Sequence, residues 1–202
     1  MITPVILAAG NSTRMGRPKP YISLGDKTFI ETIALRIREA EISGHGVAVF
    51  NHQHKSRIDS QSLPDFTPAP NARQELGQLY SLQLALEHVP EKADAILMCL
   101  ADHPFVKETT YRLLAEKSRS NPDKILIPEY RGEGGHPVVI PRAFFNEVRS
   151  LSVKTPGGLK NLFDETPESI LRIPVRDPGI LSDIDTEEDL KNVIESYTEK
   201  AS

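Results

Sequence analysis

The sequence has little cysteine, no tryptophan and no long apolar run. Its 202 residues include one cysteine, Cys99, and no uninterrupted apolar stretch approaches membrane-spanning length. A single cysteine excludes an internal disulfide framework and is typical of a reducing compartment. The first residues also lack the charged region and apolar core of a signal peptide. We therefore expect a cytoplasmic protein without a membrane partner.

A strong excess of charge is also absent. The net charge is −4 and the isoelectric point is near 5.9, so the chain has no general attraction to nucleic acid. A polyanionic ligand would have to bind at a local cluster of cations such as Arg14, Arg17 and Lys19. Composition therefore favours a small phosphorylated ligand over a nucleic acid partner.

A glycine- and hydroxyl-rich stretch, residues 7–19, follows the first apolar run of the chain. Residues 4–7 predict a buried strand, and open α/β sheets bind ligands where such strands end. Small residues allow close approach of a phosphate, while backbone N–H groups, Arg14 and Lys19 supply donors and positive charge. A Walker loop and a dinucleotide fingerprint do not fit the positions of Gly10 and Gly16. We predict a nucleoside triphosphate loop, with a plain surface turn as the alternative.

The remaining pattern alternates strands with helices, as in α/β proteins. Further strands are predicted over residues 47–50, 95–100, 124–128, 138–141 and 170–175. Helices are predicted over residues 29–41, 79–89, 108–117, 141–149, 157–165 and 187–197. Residues 60–71 contain three prolines and are predicted to be loop with at most one short strand. Cys99, in the apolar run 95–100 without a basic neighbour, is expected to be a buried strand thiol.

Asp102 directly follows the most continuous strand signal of the chain. If the strands are parallel, Asp102 lies at the same sheet edge as the first loop. A carboxylate there is either a magnesium ligand facing a triphosphate or the N-cap of the helix that begins near Glu108. Pro104 and Lys107 intervene and make the cap less natural, so we favour the metal.

Residues 7–19 resemble the signature L-A-A-G-x-S-x-R-M-G-x-P-K of the molybdenum cofactor nucleotidyltransferases, most closely the cytidylyltransferase branch of the MobA-like NTP transferases. Three later blocks follow in the family's order: Leu100-Ala101-Asp102-His103-Pro104, Gly135-His136-Pro137-Val138-Val139 and Asp183-Ile184-Asp185-Thr186-Glu187-Glu188-Asp189-Leu190. The resemblance covers nearly the whole chain. It implies one nucleotidyltransferase domain over residues 1–202, a single-domain three-layer Rossmann-like α/β fold with a mostly parallel mixed sheet.

The resemblance also implies the site residues. The expected nucleotide-binding residues are Leu7, Ala8, Ala9, Gly10, Asn11, Ser12, Arg14, Lys19, Asn71, Ser81 and Asp102. Arg14, Lys19 and Asp102 are the expected catalytic residues. Asp102 and Asp185 are the expected metal ligands, with Asp183 as the reserve for Asp185. Gly135 and His136 are expected to contact the acceptor, and the connection 154–158 is flexible enough to reach it.

Ordinary structural roles compete with several of these assignments. Asn51, near the nucleotide in the family, is at least as well explained by an Asx turn. Asp185 or Thr186 fits the cap of the last helix, and His136 fits a backbone hydrogen bond at a strand entrance. The chain departs from the family at Tyr80, which replaces a small hydroxyl residue, and at His103, which replaces glutamine and is expected to face outward.

The implied reaction is magnesium-dependent nucleotidyl transfer. A phosphate monoester attacks the α-phosphorus of a nucleoside triphosphate and pyrophosphate leaves. CTP is favoured over GTP because related guanylyltransferases have glycine where this chain has Ala9, whose methyl group crowds a purine more. The implied acceptor is the molybdenum-bearing pterin monophosphate (molybdopterin), and a molybdenum hydroxylase is a possible partner enzyme. Alternatives are guanylyl transfer, a sugar-phosphate or polyol-phosphate acceptor, and a non-catalytic hydroxylase accessory protein or nucleotide-binding regulator.

Overall fold

A computed structural model describes residues 1–10, 17–42, 44–54, 63–184, 186 and 188–191. These ranges contain both strands and helices, as the apolar pattern predicts. The strands are β1 Ile2–Ala8, β2 Ser23–Leu24, β3 Lys27–Thr28, β4 Gly46–Asn51, β5 Phe66–Asn71, β6 Ala95–Leu100, β7 Ile125–Tyr130, β8 Glu133–Gly134, β9 Val138–Pro141 and β10 Ile170–Pro174. The helices are α1 Phe29–Glu39, α2 Gly77–Leu86, α3 Glu108–Ser120, α4 Phe145–Ser150 and α5 Leu159–Glu165.

One mixed sheet organises the described part of the chain. Its strand order is β10-β7-β9-β6-β1-β4-β5, and β8 pairs with β7 at the side of this path. β1 pairs in parallel with β4 and β6, β4 with β5, and β10 with β7. β9 runs antiparallel between β6 and β7. The sheet is therefore mostly parallel and mixed, as predicted.

Helices cover both faces of the sheet and make three layers. Alternate residues of β1 point to opposite faces, as the period of a strand requires. Ile6 and Ala8 join the apolar cluster that includes Ile33 of α1 and Leu114 of α3. Val5, Leu7 and Ala9 join the cluster on the other face, which includes Leu82 of α2, Phe145 of α4 and Leu162 of α5. Burial on both faces explains why the central strands are almost continuously apolar.

Within residues 60–71, where loop with at most one short strand is predicted, the structure has one strand of six residues. Residues 66–71 form β5, although it contains Pro68 and Pro70. β5 stands at the end of the strand order and pairs with β4 alone among the described strands. A strand at this position tolerates proline because it needs ladder hydrogen bonds on one side only.

The path of the chain reverses at β1 and creates a crevice. From β1 the chain continues to β4 and β5 on one side, and then returns to β6 on the other side of β1. The connections that leave β1 and β6 therefore diverge at their carboxyl ends, which is the usual ligand position in open α/β sheets.

No helix within the described ranges is long and apolar enough to cross a membrane.

Candidate nucleotide site

A cavity of about 190 Å³ lies at the carboxyl ends of β1 and β6. Its walls come from the segment that leaves β1, the segment that leaves β6, and the start of α2. The lining residues include Leu7, Ala8, Ala9, Gly10, Lys19, Gln74, Gly77, Gln78, Ser81, Leu100 and Asp102. Three sequence blocks that are far apart along the chain thus meet at one crevice.

Lys19 and Asp102 face each other across this cavity. The Lys19 Nζ atom lies 3.6 Å from Oδ2 of Asp102, and the lysine side chain is only 11% exposed. Ala101 N–H donates to the Leu7 carbonyl at 3.1 Å, which extends the β1–β6 pairing and places Asp102 beside the first loop. The structure therefore brings together two of the predicted catalytic residues.

Asp183 is the second carboxylate at Lys19. Its Oδ1 atom lies 3.5 Å from the same Nζ atom. The Ile184 N–H donates to the Asp102 carbonyl at 3.1 Å, which ties the last family block to the end of β6. Asp183 was predicted only as the reserve ligand, while Asp185 lies outside the described residues, as do Asn11, Ser12 and Arg14.

The segment that carries Asp183 is anchored by apolar packing and capping. Ile184 and Leu190 are buried in a small cluster with Ile22 and Phe29. Thr186 and Asp189 exchange hydrogen bonds, Thr186 N–H to Asp189 Oδ2 at 2.7 Å and Asp189 N–H to Thr186 Oγ1 at 3.1 Å. Thr186 thus has the capping role that the sequence left open between Thr186 and Asp185.

Asp102 does not cap α3. The helix begins at Glu108 after Lys107, and the Lys107 N–H donates to Asp177 Oδ2 at 2.9 Å. Thr110 Oγ1 donates to the same oxygen at 2.7 Å. Asp177, which lies far along the chain, thus binds the residue before the helix and the hydroxyl of Thr110 in its first turn, while Asp102 lines the cavity.

Asn71 and Ser81 form a buried pair at the side of the cavity. The Asn71 Nδ2 atom donates to Ser81 Oγ at 3.0 Å, and the Arg73 N–H donates to Asn71 Oδ1 at 2.7 Å. Asn71 is fully buried, whereas Ser81 lines the cavity. Asn71 is therefore placed to orient Ser81.

His103 is buried, and the expectation that it faces outward is wrong. The residue is 8% exposed, and its Nε2 atom lies 3.8 Å from Oδ1 of Asp102. Its ring centroid is 5.3 Å from that of His136. The reason is the tight turn after β6, where the His103 N–H donates to the Leu100 carbonyl and turns the side chain inward.

His136 connects this cluster to a second cleft. Burial, and then the proximity of His103, lower the pKa of the His136 imidazole to about 4, while Asp102 acts in the opposite direction. Its Nδ1 atom is buried without a hydrogen-bond partner among the described residues. The backbone N–H of His136, and not its ring, donates to the Ile180 carbonyl at 3.0 Å.

The second cleft, of about 390 Å³, is adjacent to the first cavity. It shares Gly77 and Gln78 with that cavity, and its lining includes His136, Thr155, Gly157, Gly158 and Lys160. The connection 154–158, expected from its flexibility to reach an acceptor, thus contributes to the same cleft as His136. Gly135 packs against Ile180, where a Cβ atom would collide with the backbone carbonyl.

Asn51 and Cys99 have the structural roles that the sequence analysis describes for them. Asn51 Oδ1 accepts the Gln53 N–H at 3.0 Å, which is the Asx turn. Cys99 is buried in β6, and burial raises the pKa of its thiol. Gln74 and Gln78 were missed as lining residues. Both precede the predicted helix 79–89, whereas the observed helix begins at Gly77 and includes Gln78.

The donors at Lys19 suit a hard divalent cation. Asp102 and Asp183 supply carboxylate oxygens, and the lysine ammonium between them shows that the position already accommodates positive charge. Within the described ranges no three His, Cys, Asp or Glu side chains form a metal-binding group. Such a site suits Mg²⁺, which retains waters and takes phosphate oxygens as further ligands.

Proteins of known structure share this fold over almost the entire chain. Rv0371c from Mycobacterium tuberculosis H37Rv superposes with a TM-score of 0.80, covering 96% of this chain and 97% of that one at 24% identity. The same protein in complex with manganese gives a TM-score of 0.75. At this level of identity the similarity establishes the fold alone.

The chain belongs to the family of the MobA-like NTP transferase domain, which it matches over residues 4–170. A probable molybdenum cofactor guanylyltransferase from Bacillus cereus (strain Q1) is 29% identical over 124 residues, covering 60% of this chain and 59% of that protein. The bifunctional protein GlmU from Staphylococcus saprophyticus is 29% identical over 126 residues, covering 58% of this chain but 26% of GlmU. The matched segment thus spans only part of each of these relatives.

Proposed function

We propose that this nucleotidyltransferase joins CMP from CTP to the phosphate of molybdopterin, releases pyrophosphate and depends on Mg²⁺. The observation that carries the proposal is the convergence of Lys19, Asp102 and Asp183 beside the Leu7–Gly10 segment at the reversal of the sheet. A cation and two carboxylates next to a small-residue loop suit a metal–triphosphate complex better than any uncharged ligand.

In the proposed reaction an oxygen of the acceptor phosphate forms a bond to the α-phosphorus. The bond between the α-phosphorus and the bridging oxygen breaks, and pyrophosphate leaves with that oxygen and its electron pair. Such a transfer needs in-line positioning and charge neutralisation, without a protein nucleophile. Lys19 stabilises the negative charge on the α-phosphate, and Arg14 is assigned to the pyrophosphate from the sequence.

Asp102 and Asp183 would hold the magnesium ion, with Asp185 kept as a candidate from the sequence. When bound, the ion neutralises charge on the phosphate oxygens and orients them. The backbone of residues 8–10 borders the triphosphate, and Asn71 holds Ser81 at the wall toward the base.

The cleft at His136 is the proposed acceptor site. It adjoins the nucleotide cavity through Gly77 and Gln78, so an acceptor phosphate can reach a bound α-phosphate without leaving the protein surface. The His136 ring offers a nitrogen that has no hydrogen-bond partner among the described residues. Lys160 adds a positive charge at the cleft, which favours a phosphorylated acceptor.

Guanylyl transfer is the second candidate. The relative from Bacillus cereus is named a probable molybdenum cofactor guanylyltransferase, and its similarity supports GTP as much as the family resemblance supports CTP. Ala9 at the cavity wall favours the smaller base. A sugar phosphate or a polyol phosphate, the alternatives from the sequence, is the acceptor to compare with molybdopterin.

A pyrophosphate-release assay tests the proposal. CTP, GTP and ATP are each combined with molybdopterin, a sugar 1-phosphate or a polyol phosphate, with and without Mg²⁺. We expect release with CTP and molybdopterin that requires Mg²⁺. Asp102→Asn is expected to lower turnover at least about 100-fold, whereas Asp123→Asn, the same change at an exposed turn, is expected to leave it unchanged.

The outcomes separate the candidates. Turnover with GTP but not CTP would assign guanylyl transfer and keep the mechanism. Release with a sugar or polyol phosphate alone would change the acceptor. No release with any pair, together with cofactor delivery to a molybdenum hydroxylase by Asp102→Asn, would replace the enzyme by a non-catalytic accessory protein.

A further inference from the structure

The Lys19 ammonium is held between two carboxylates that come from distant parts of the chain. Its Nζ atom is 3.6 Å from Asp102 Oδ2 and 3.5 Å from Asp183 Oδ1. Asp102 follows β6, whereas Asp183 follows the single helical turn Pro178–Leu181. Because the lysine side chain is nearly buried, this cation neutralises much of the negative charge that the two carboxylates would otherwise concentrate there.

A divalent ion and the ammonium compete for the same oxygens. Magnesium binds carboxylate oxygens at about 2.1 Å. Bound to the two oxygens that face Nζ, the ion would lie within a few ångströms of another positive charge. A metal ion there would therefore weaken the attraction between these two carboxylates and Lys19 and would favour movement of the ammonium away from them.

The nucleotide cavity offers Lys19 a replacement partner. Its side chain lines that cavity, beside the small residues Ala8, Ala9 and Gly10. Pro18 directly precedes the single turn Lys19–Tyr21 and restricts the backbone there, so the long lysine side chain is the part best able to move. A phosphate in the cavity therefore attracts the ammonium away from the carboxylates.

We propose that Lys19 is a resident cation that occupies the metal position of the ligand-free protein and moves to the phosphate when the metal–nucleotide complex binds. The inference rests on the proposed function, because it takes Asp102 and Asp183 as the metal ligands. It adds that metal ions bind weakly to this protein without nucleotide, because the Lys19 ammonium occupies the metal position.

Mn²⁺ binding to the intact chain without nucleotide, measured by electron paramagnetic resonance, tests this role. Lys19→Met removes the charge and keeps most of the volume. We expect it to tighten Mn²⁺ binding at least about tenfold, because the two carboxylates lose their resident cation. Lys19→Arg keeps the charge and is expected to bind Mn²⁺ as weakly as the wild type.

Lys27→Met is the matched control for net charge. Lys27 pairs with Asp26 on the surface and does not line the nucleotide cavity. This variant is expected to change Mn²⁺ affinity less than about twofold, since exposed charges are screened. Circular dichroism confirms that each variant is folded. Unchanged or weaker Mn²⁺ binding by folded Lys19→Met would overturn the proposal.

The wild-type protein gives a second measurement that needs no variant. Acetylation of lysine amines is followed by mass spectrometry, with Lys27 as the internal reference. Saturating Mn²⁺ is expected to raise the labelling rate of Lys19 several-fold, because the metal expels the ammonium from between the carboxylates. A rate that Mn²⁺ leaves unchanged would contradict the displacement.

Failure of this inference differs from failure of the proposed function. If Lys19→Met does not tighten Mn²⁺ binding while the wild type releases pyrophosphate, the resident-cation role is wrong and the transferase stands. If Mn²⁺ competes with Lys19 but no pair of nucleotide and acceptor yields pyrophosphate, the transferase proposal is wrong and the resident-cation role stands.

Discussion

Ala9 lies at the wall of the proposed nucleotide cavity, directly after β1. The residue is 3% exposed, so a neighbouring base cannot push it aside without disturbing the core. We expect Ala9→Gly to raise the ratio of kcat/KM for GTP to that for CTP about tenfold, since one methyl group is worth about 1 to 2 kcal/mol at such a contact. Steady-state pyrophosphate release with each nucleotide measures the ratio.

Ala69→Gly serves as the control for the Ala9 substitution. Ala69 is fully buried in the same apolar cluster but does not line the cavity. The Ala69→Gly substitution also removes one methyl group, so it reproduces any general loosening of the core. If Ala9→Gly and Ala69→Gly change the GTP-to-CTP ratio of kcat/KM equally, or if Ala9→Gly leaves it unchanged, Ala9 does not select the base.

The buried imidazole of His136 makes stability depend on pH. Its pKa is about 4 in the folded protein against 6.5 in the unfolded chain, so the unfolded state binds more protons between these values. Stability is therefore lost as the pH falls from 6.5 toward 4. We expect the free energy of unfolding to drop by about 2 to 3 kcal/mol from this group between pH 7 and about pH 4.5.

Urea unfolding of wild type and His136→Asn at both pH values isolates this contribution. The asparagine variant keeps a polar side chain but cannot titrate, so its loss of stability is expected to be smaller by that amount. The same dependence in both proteins would mean that His136 is not the group responsible. An NMR titration of the His136 ring gives the pKa directly.

Residue roles that depend on a local pattern could be predicted from the sequence, and those that depend on a distant partner could not. Cys99 in an apolar run and the Asx turn of Asn51 need only their neighbours. The roles of Lys19 and Asp102 were implied by the family resemblance, and the position of Asp102 beside the first loop was predicted because strand ends of a parallel sheet share an edge. The inward position of His103 and the contact of Asp183 with Lys19 depend on how the turn after β6 packs.

At the scale of elements, the glycine-rich connection from β7 to β9 is held against the turn Pro178–Leu181 by close backbone contact. The Gly135 N–H donates to the Pro128 carbonyl at 2.9 Å, and a Cβ atom at Gly135 would collide with the Ile180 carbonyl. We expect Gly135→Ala to destabilise the protein by about 3 kcal/mol, because neither backbone can retreat. Its effect on kcat/KM for the acceptor should exceed that for the nucleotide.

Gly132→Ala in the same connection separates crowding from backbone strain. Gly132 has a φ of +86° and open space around it, so alanine there costs about 1 kcal/mol from conformation alone. Urea midpoints compare the two variants. If Gly135→Ala costs no more than Gly132→Ala, the contact with Ile180 does not hold the connection in place.

Strands and helices were predicted well where the spacing of apolar residues and the length of the segment indicate the same element. They were predicted less well at the edge of the sheet. The prolines of β5 indicate a loop when read locally, and its end position in the sheet is what permits them. The start of α3 shows a related limit. One oxygen of Asp177, 70 residues beyond Lys107, accepts the N–H that directly precedes the helix, a tertiary contact that no local pattern predicts.

At the scale of the whole molecule, β1 links the two sides of the sheet. It pairs with β4 on one side and β6 on the other, and its alternate residues contribute to the apolar clusters on both faces. Unfolding either side alone would expose both clusters. We therefore propose that the chain unfolds as the one domain expected from the sequence, over residues 1–202.

Urea denaturation with and without CTP and Mg²⁺ tests both the unfolding as one domain and the binding of the nucleotide. We expect one transition in urea, with far-ultraviolet circular dichroism and tyrosine fluorescence coinciding, because Tyr111 is buried between α3 and the sheet. Ligand at 100 times its dissociation constant is expected to stabilise the folded state by about 2.7 kcal/mol. Both probes should shift equally, since the site is built from β1, β6 and the segment after residue 181. Two transitions, or a shift in one probe alone, would show that the ligand binds a part of the chain that folds independently.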